Sequence, residues 1–256
     1  MTVRNNPIKA TFPIFVLTLS GDADRRAPLL EKLEALELSY ELVFGIDGRK
    51  GLSTEYEQLI DREGTPACAG RKLSEGEYAC ALSHRSIYNR IIDQGLPGGI
   101  ILEDDAILMD DFAKFVRSGD FEQAPMILLD YAFGRALPFR VRKMQSGMLH
   151  RCANQPTMAS AYSISNVTAQ RLLSATTPVR TTTDWPTSLY HLDAWIAVPR
   201  LARHQAPESG RLSHLDEDRN KLEKTKKKPN VPGTTGFGPK FRIRLSVRVG
   251  RAKGER

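Results

Sequence analysis

Gly98-Gly99-Ile100-Ile101-Leu102-Glu103-Asp104-Asp105-Ala106 is the stretch on which the reading of this chain turns. Three apolar residues follow a Gly- and Pro-rich break and run directly into three acids. A short apolar run bounded by turn residues reads as a buried strand. In an open α/β sheet, ligands bind beyond the carboxyl ends of the strands. Such a strand delivers Glu103, Asp104 and Asp105 to that edge. Crowded carboxylates repel one another, and a divalent cation relieves the repulsion. Hard oxygen ligands suit Mg²⁺ or Mn²⁺, usually together with substrate phosphates. By side-chain alternation Glu103 and Asp105 share a face and Asp104 points the other way. The plainer alternative is a solvated acidic turn that caps a helix near Phe112.

The remainder of the chain supplies a setting for that strand. Pro13–Leu19 reads as a first buried strand, and 25–37 as a helix with Leu29, Leu33 and Leu36 on its apolar face. Tyr40–Phe44 reads as a second strand that ends in Asp47-Gly48. This β-α-β alternation predicts an α/β fold, a Rossmann-like mixed sheet flanked by helices. A short helix is expected over 55–60 and a loop over 62–72. Ser74-Glu75-Gly76-Glu77 fits a capping box and opens a helix to about Gln94, closed by Gly95 and Pro97. Ser83-His84 interrupts the apolar face of that helix. Helix is expected over 112–118, strand over 126–130, and an irregular active-site flap over 131–146. Strand 159–164, a helix over 166–175 capped by Ser165, a helix over 185–191 capped by Asp184, and strand 194–198 follow.

With 256 residues, 41% apolar and 26% charged, the chain fits one soluble globular domain of ordinary-to-large size, or one with a small annex. No apolar run is long enough to cross a bilayer, and the first residues lack a signal-peptide pattern. Cys68, Cys80 and Cys152 are an odd number without metal-ligand spacing, so free thiols in a reducing cytoplasm are expected. The net charge of +7 is unevenly spread. Residues 219–256 hold 13 Lys and Arg against two acids, so the body 1–218 is mildly acidic and the basicity is a tail. Phe241–Val249 alternates apolar with basic residues, which predicts a strand. Such a tail suits an anionic membrane surface, at about 1 kcal/mol per Lys or Arg. The alternatives are nucleic acid or simple solubilisation.

Taken in order, residues 13–26, Asp47-Gly48, Leu73-Ser74-Glu75-Gly76-Glu77 with Leu82-Ser83-His84, Leu102-Glu103-Asp104-Asp105, Ala161–Ser165 and Thr183-Asp184 form a recognisable series. The chain resembles glycosyltransferase family 25, the lipooligosaccharide-core glycosyltransferases of Gram-negative bacteria, over roughly residues 13–215. The resemblance implies a GT-A-type fold and inverting transfer of a sugar, often galactose, from a UDP-sugar. Glu103-Asp104-Asp105 matches the family's Asp-x-Asp-like metal motif, with Glu in the first place. Asp105 is then the leading ligand for Mn²⁺ or Mg²⁺, with Glu103 or Asp104 assisting and His204 as a late histidine completing the set. Thr18, Arg25, Arg26, Asp47, Gly48, Ser83 and His84 are expected at the donor, with the arginines on its phosphates and His84 on the diphosphate or lining the pocket. Asp184 is the expected general base, with Trp185 stacking on a sugar, and Glu77 is the alternative base.

The expected partners are a nucleotide-sugar donor, a lipid-linked oligosaccharide acceptor and, through the tail, the cytoplasmic face of the inner membrane; nucleic acid is not expected. Two other functions compete with this reading. A phospho- or nucleotidyltransferase would use the same acids, and a basic nucleic-acid-binding protein would be led by the tail.

Overall fold

The computed structural model describes residues 12–204 and 229–250. The expected boundary at 218/219 and the basic run 224–228 lie outside the described residues.

Ile14–Thr18 (β1) is buried at every residue, as a strand covered on both faces requires. From it the chain passes through Ala23–Ala35 (α1) to Tyr40–Phe44 (β2), which lies parallel to β1. It returns through Thr54–Glu57 (α2), Thr65–Ala69 (α3) and the long helix Glu75–Asp93 (α4) to Gly98–Glu103 (β3). β3 pairs with β1 on the opposite side from β2, again parallel. Leu29 and Leu33 of α1 pack with Ile14, Val16, Ile100 and Leu102. Ile87, Tyr88 and Ile91 of α4 pack with Phe15, Leu17 and Ile101 on the other face. The first crossover therefore runs outward from β1 to β2 and the second returns past β1 to β3, over opposite faces. That is a topological switch point, and it opens a crevice at the carboxyl ends of β1 and β3.

The capping box of α4 forms in full. Ser74 Oγ accepts from the Glu77 N–H at 3.2 Å, and Glu77 Oε2 accepts from the Ser74 N–H at 3.1 Å. Gly98 is required by close approach, since a Cβ there would lie 2.3 Å from the Ile164 carbonyl oxygen.

Beyond the acids come Ala106–Leu108 (β4), Phe112–Arg117 (α5), Met126–Leu128 (β5), Arg135–Met144 (β6) and Gly147–Cys152 (β7). Ala161–Ser165 (β8), Asn166–Ala175 (α6), Ala194–Val198 (β9) and Ala202–His204 (β10) follow. Phe237–Leu245 (α7) and Val247–Arg248 (β11) complete the described chain. Among the described residues, nine strands make one mixed sheet in the order β11-β6-β7-β9-β5-β8-β3-β1-β2, and β10 pairs with β4 separately. No described helix is long and apolar enough to cross a membrane.

Four expectations are corrected. The segment 131–146 is mostly strand, not a flap: β6 and β7 form an antiparallel hairpin on the sheet. Pro138, a register shift after Ala136 and a solvent-facing run of Arg and Lys hid the strand pattern. Residues 62–72 contain a helical turn, α3. Residues 185–191 form turns, because Trp185 has φ +65° and is fully buried, so no helix starts at Asp184. The alternating segment 241–249 is helix as far as Leu245 and strand only at Val247–Arg248. No residue of α7 is buried, so no core face existed to enforce the period-two pattern.

Candidate active site

The acidic turn is built by two local devices. β3 ends at Glu103, whose register partner on β1 is Leu17, so Thr18 stands beside the acids. Further on, β10 runs antiparallel to β4 with His204 opposite Ala106. That pairing carries a histidine 99 positions away in sequence to the residue after Asp105.

Each acid has its own environment. Asp104 accepts from Thr18 Oγ1 at 2.8 Å and from Arg25 Nε at 2.7 Å. Burial pushes its pKa above the ordinary value, against the pull of Arg25 and Thr18. Asp105 is bonded by the other arm of Arg25 and lies 3.4 Å from His204 Nδ1. Burial pushes its carboxyl up, but His204 and Arg25 more than offset this and hold it below the usual range. The Asp105 contact in turn raises His204. Glu103 accepts from His84 Nε2 at 2.9 Å, and His84 Nδ1 lies 2.7 Å from the Tyr162 hydroxyl. Tyr162 also bonds Tyr88, at 3.1 Å.

Ligand-type atoms of Glu103, Asp105 and His204 all fall within 4.8 Å of one another. Asp105 Oδ1 is buried and receives no hydrogen bond. A buried carboxylate oxygen without a donor is costly, and a cation would satisfy it. Two carboxylates and an imidazole suit Mn²⁺, or Mg²⁺ with more of its water retained. The residues present fit a divalent ion.

Thr18, Arg25, Asp47, Gly48, Ser83, Glu103, Asp104, Asp105 and His204 all line one cleft at this edge. Gly48 has to be glycine, since a Cβ would meet the Glu75 carbonyl oxygen at 2.6 Å. Ser83 tethers the cleft wall, accepting from the Ile46 N–H at 2.8 Å and donating to the Ala79 carbonyl at 2.7 Å.

Other expected site residues stand elsewhere. Arg26 turns back to the Leu19 carbonyl at 3.1 Å. His84 is 1% exposed with both ring nitrogens engaged, so it holds Glu103 from behind and cannot line the pocket. Glu77 is 1% exposed, its oxygens taken by Arg71 at 2.8 and 2.5 Å and by the Ser74 N–H. That makes it a helix cap and ion-pair partner, not a base. Asp184 is half-buried and accepts from the Met158 N–H at 2.8 Å. Its neighbour Thr183 donates to Cys80 Sγ at 3.1 Å, and Cys80 is on the cleft wall. The Trp185 ring is fully buried, edge-on to Tyr162 at 5.3 Å, and its burial excludes stacking on a sugar.

Sequence reasoning missed Cys80, Asp22 and Arg49 in the cleft and Tyr162 behind it. The Cys80–His84 spacing of four on one helix was a signal for the first. Tyr162 lies in the 161–165 block of the motif series, and nothing local marked Asp22 or Arg49.

The sequence profile described as "Glycosyltransferase family 25 (LPS biosynthesis protein)" matches residues 11–187, well over half of the chain. The chain belongs to glycosyltransferase family 25. Membership places it among glycosyltransferases and agrees with the GT-A-like mixed sheet. A lipooligosaccharide biosynthesis protein, lic2B, of Haemophilus influenzae is 22% identical over 167 residues, 62% of this chain and 61% of that protein. Procollagen galactosyltransferase 1 of Danio rerio is 32% identical over 96 residues, 36% of this chain and 16% of that protein. A probable inactive glycosyltransferase 25 family member 3 of Bos taurus is 28% identical over 176 residues, 65% of this chain. The chain spans less than a third of the two animal proteins' length, at 16% and 29%.

Proposed function

We propose that this family 25 member is an active, inverting, metal-dependent glycosyltransferase. In this reading it moves a sugar, galactose first among the candidates, from a UDP-sugar to a lipooligosaccharide-core acceptor. The observation that carries the proposal is the convergence of Glu103, Asp105 and His204 around an undonated Asp105 oxygen at the switch-point cleft. The names of the Haemophilus and Danio relatives speak for lipooligosaccharide and for galactose, respectively.

Glu103, Asp105 and His204 would hold Mn²⁺ or Mg²⁺, which when bound supplies Lewis-acid stabilisation of the charge that develops on the departing diphosphate. Arg25, already shared by Asp104 and Asp105, adds charge-assisted contacts to a phosphate. Asp47 and Gly48 line the same cleft, the glycine letting their turn pack against the start of α4, and the Asp47 carboxylate is offered to the nucleoside. His84, itself held by Tyr162, fixes the orientation of Glu103. Inversion is a single displacement, in which the acceptor oxygen bonds the anomeric carbon as UDP leaves from the opposite face. Asp184, whose neighbour Thr183 donates to Cys80 of the cleft wall, takes the proton from the acceptor hydroxyl. A sugar-transfer assay with Asp105→Ala beside the parent tests the proposal. Nucleotide turnover without sugar transfer would instead favour a nucleotidyl- or phosphotransferase working on the same acids.

A further inference from the structure

The far end of the sheet has a composition of its own. Residues 133–152 contain five Arg and Lys and no Asp or Glu, and residues 229–250 contain four and none. The fold joins these two segments. β11 pairs with β6, Val247 opposite Ala136 and Arg248 opposite Arg135. Arg135 donates to the Ser246 hydroxyl and carbonyl, both at 2.8 Å.

The same segments carry nine of the twelve most exposed large apolar side chains among the described residues. Phe133 is 82% exposed, Phe139 64% and Phe237 83%; Phe241, Ile243, Leu245, Val247, Val141 and Met148 are exposed as well. Helix α7 buries none of its nine residues and contains Gly238 and Pro239. A helix that short is marginal in water unless something packs on it. Among the described residues, none of Arg140, Lys143, Arg244 and Arg248 forms an ion pair, although each is exposed.

We propose that the surface formed by 133–152 and 237–249 docks the protein on an anionic phospholipid bilayer. Exposed apolar side chains enter the acyl boundary while arginines and lysines meet the phosphates, as interfacial amphipathic segments do. Charge complementarity calls for an anionic partner, and the apolar component selects lipid over nucleic acid. Bases offer stacking faces for the phenylalanines, but nothing for Ile243, Leu245, Val247, Val141 and Met148. This surface does not depend on the transfer reaction, so either proposal can fail alone.

The test is co-sedimentation of the full chain with vesicles of phosphatidylglycerol and phosphatidylcholine, against pure phosphatidylcholine vesicles and a double-stranded oligonucleotide. The expected result is retention on the anionic vesicles only. Combining Arg140→Gln, Arg244→Gln and Arg248→Gln should weaken it roughly a hundredfold. Combining Phe133→Ser, Phe237→Ser and Phe241→Ser should weaken it about tenfold at unchanged melting temperature. Phe237→Ser alone serves if the triple variant melts early. Three outcomes would overturn the proposal: no preference for anionic vesicles, parental binding by the phenylalanine variants, or tighter binding to the oligonucleotide.

Discussion

The two ends of the nine-stranded sheet treat charge in opposite ways. At the β3-β1-β2 end, Asp104 and Asp105 are buried, and side chains of the same chain answer them: Thr18, Arg25 and His204. At the β11-β6-β7 end the charges are basic, largely exposed and without a neighbouring acid in either segment. Burial makes the difference consequential. A desolvated carboxylate must be paired or coordinated, and one Asp105 oxygen still lacks a donor. Solvated arginines carry no such debt and act at longer range, through attraction to an outside surface. The acidic end thus suits a small ligand held at fixed geometry, and the docking surface proposed for the basic end suits a large and laterally uniform one.

Asp105→Ala breaks the acidic end most severely. Sugar transfer should fall roughly a thousandfold or more, since the ion's stabilisation is worth several kcal/mol; initial rates measure it. Asp184→Asn should lower kcat about a hundredfold or more while UDP affinity, read by calorimetry, stays put. Lost UDP binding would move Asp184 from the acceptor side to the donor site.

Glu77→Ala sharpens the contrast between acids that act and acids that hold. It should cost about 1–3 kcal/mol of stability in urea titrations by stranding Arg71 and the Ser74 N–H. Transfer per folded molecule should persist.

Asp120, buried between the two ends, accepts from the Ser146 N–H at 2.9 Å and hydroxyl at 2.8 Å, which ties down the β6–β7 turn. Burial raises its pKa, but these bonds more than offset that, leaving it below the ordinary value. Its contribution is therefore present above the unfolded pKa of about 3.9 and lost as pH falls through the folded one. Asp120→Asn should cost about 1 kcal/mol near neutrality, and the gap from the parent should shrink in acid. Phe237→Ser should change stability by no more than about 0.5 kcal/mol, because its ring packs on nothing buried.

Legibility followed burial. β1, β3 and α4, with its capping box, were readable because buried apolar runs and caps report local chemistry. Alternation grouped Glu103 with Asp105, and both stand beside His204, but it turned Asp104 away, whereas the turn after Glu103 brings Asp104 and Asp105 to the same Arg25 guanidinium. The hairpin 135–152 was not readable, since its exposed face carries Arg, Lys and Pro instead of strand-forming residues. The tail misled for the same reason: its alternation faces no core. Glu77 and His84 sat in the right motif, but their exposure decides what they do, and exposure is a property of the packed fold. Trp185 was assigned to a sugar because a buried ring and a stacking platform look alike in sequence.

The central claim is that the Glu103–Asp105–His204 cluster runs nucleotide-sugar chemistry. Its most direct test is UDP release by purified protein across a panel of UDP-sugars, with Mn²⁺ and with chelator, beside Asp105→Ala. The account predicts metal-dependent release, selective for one sugar and lost in the variant. If no UDP-sugar turns over and calorimetry detects no metal-dependent UDP binding, the cluster is not the metal site and the claim fails.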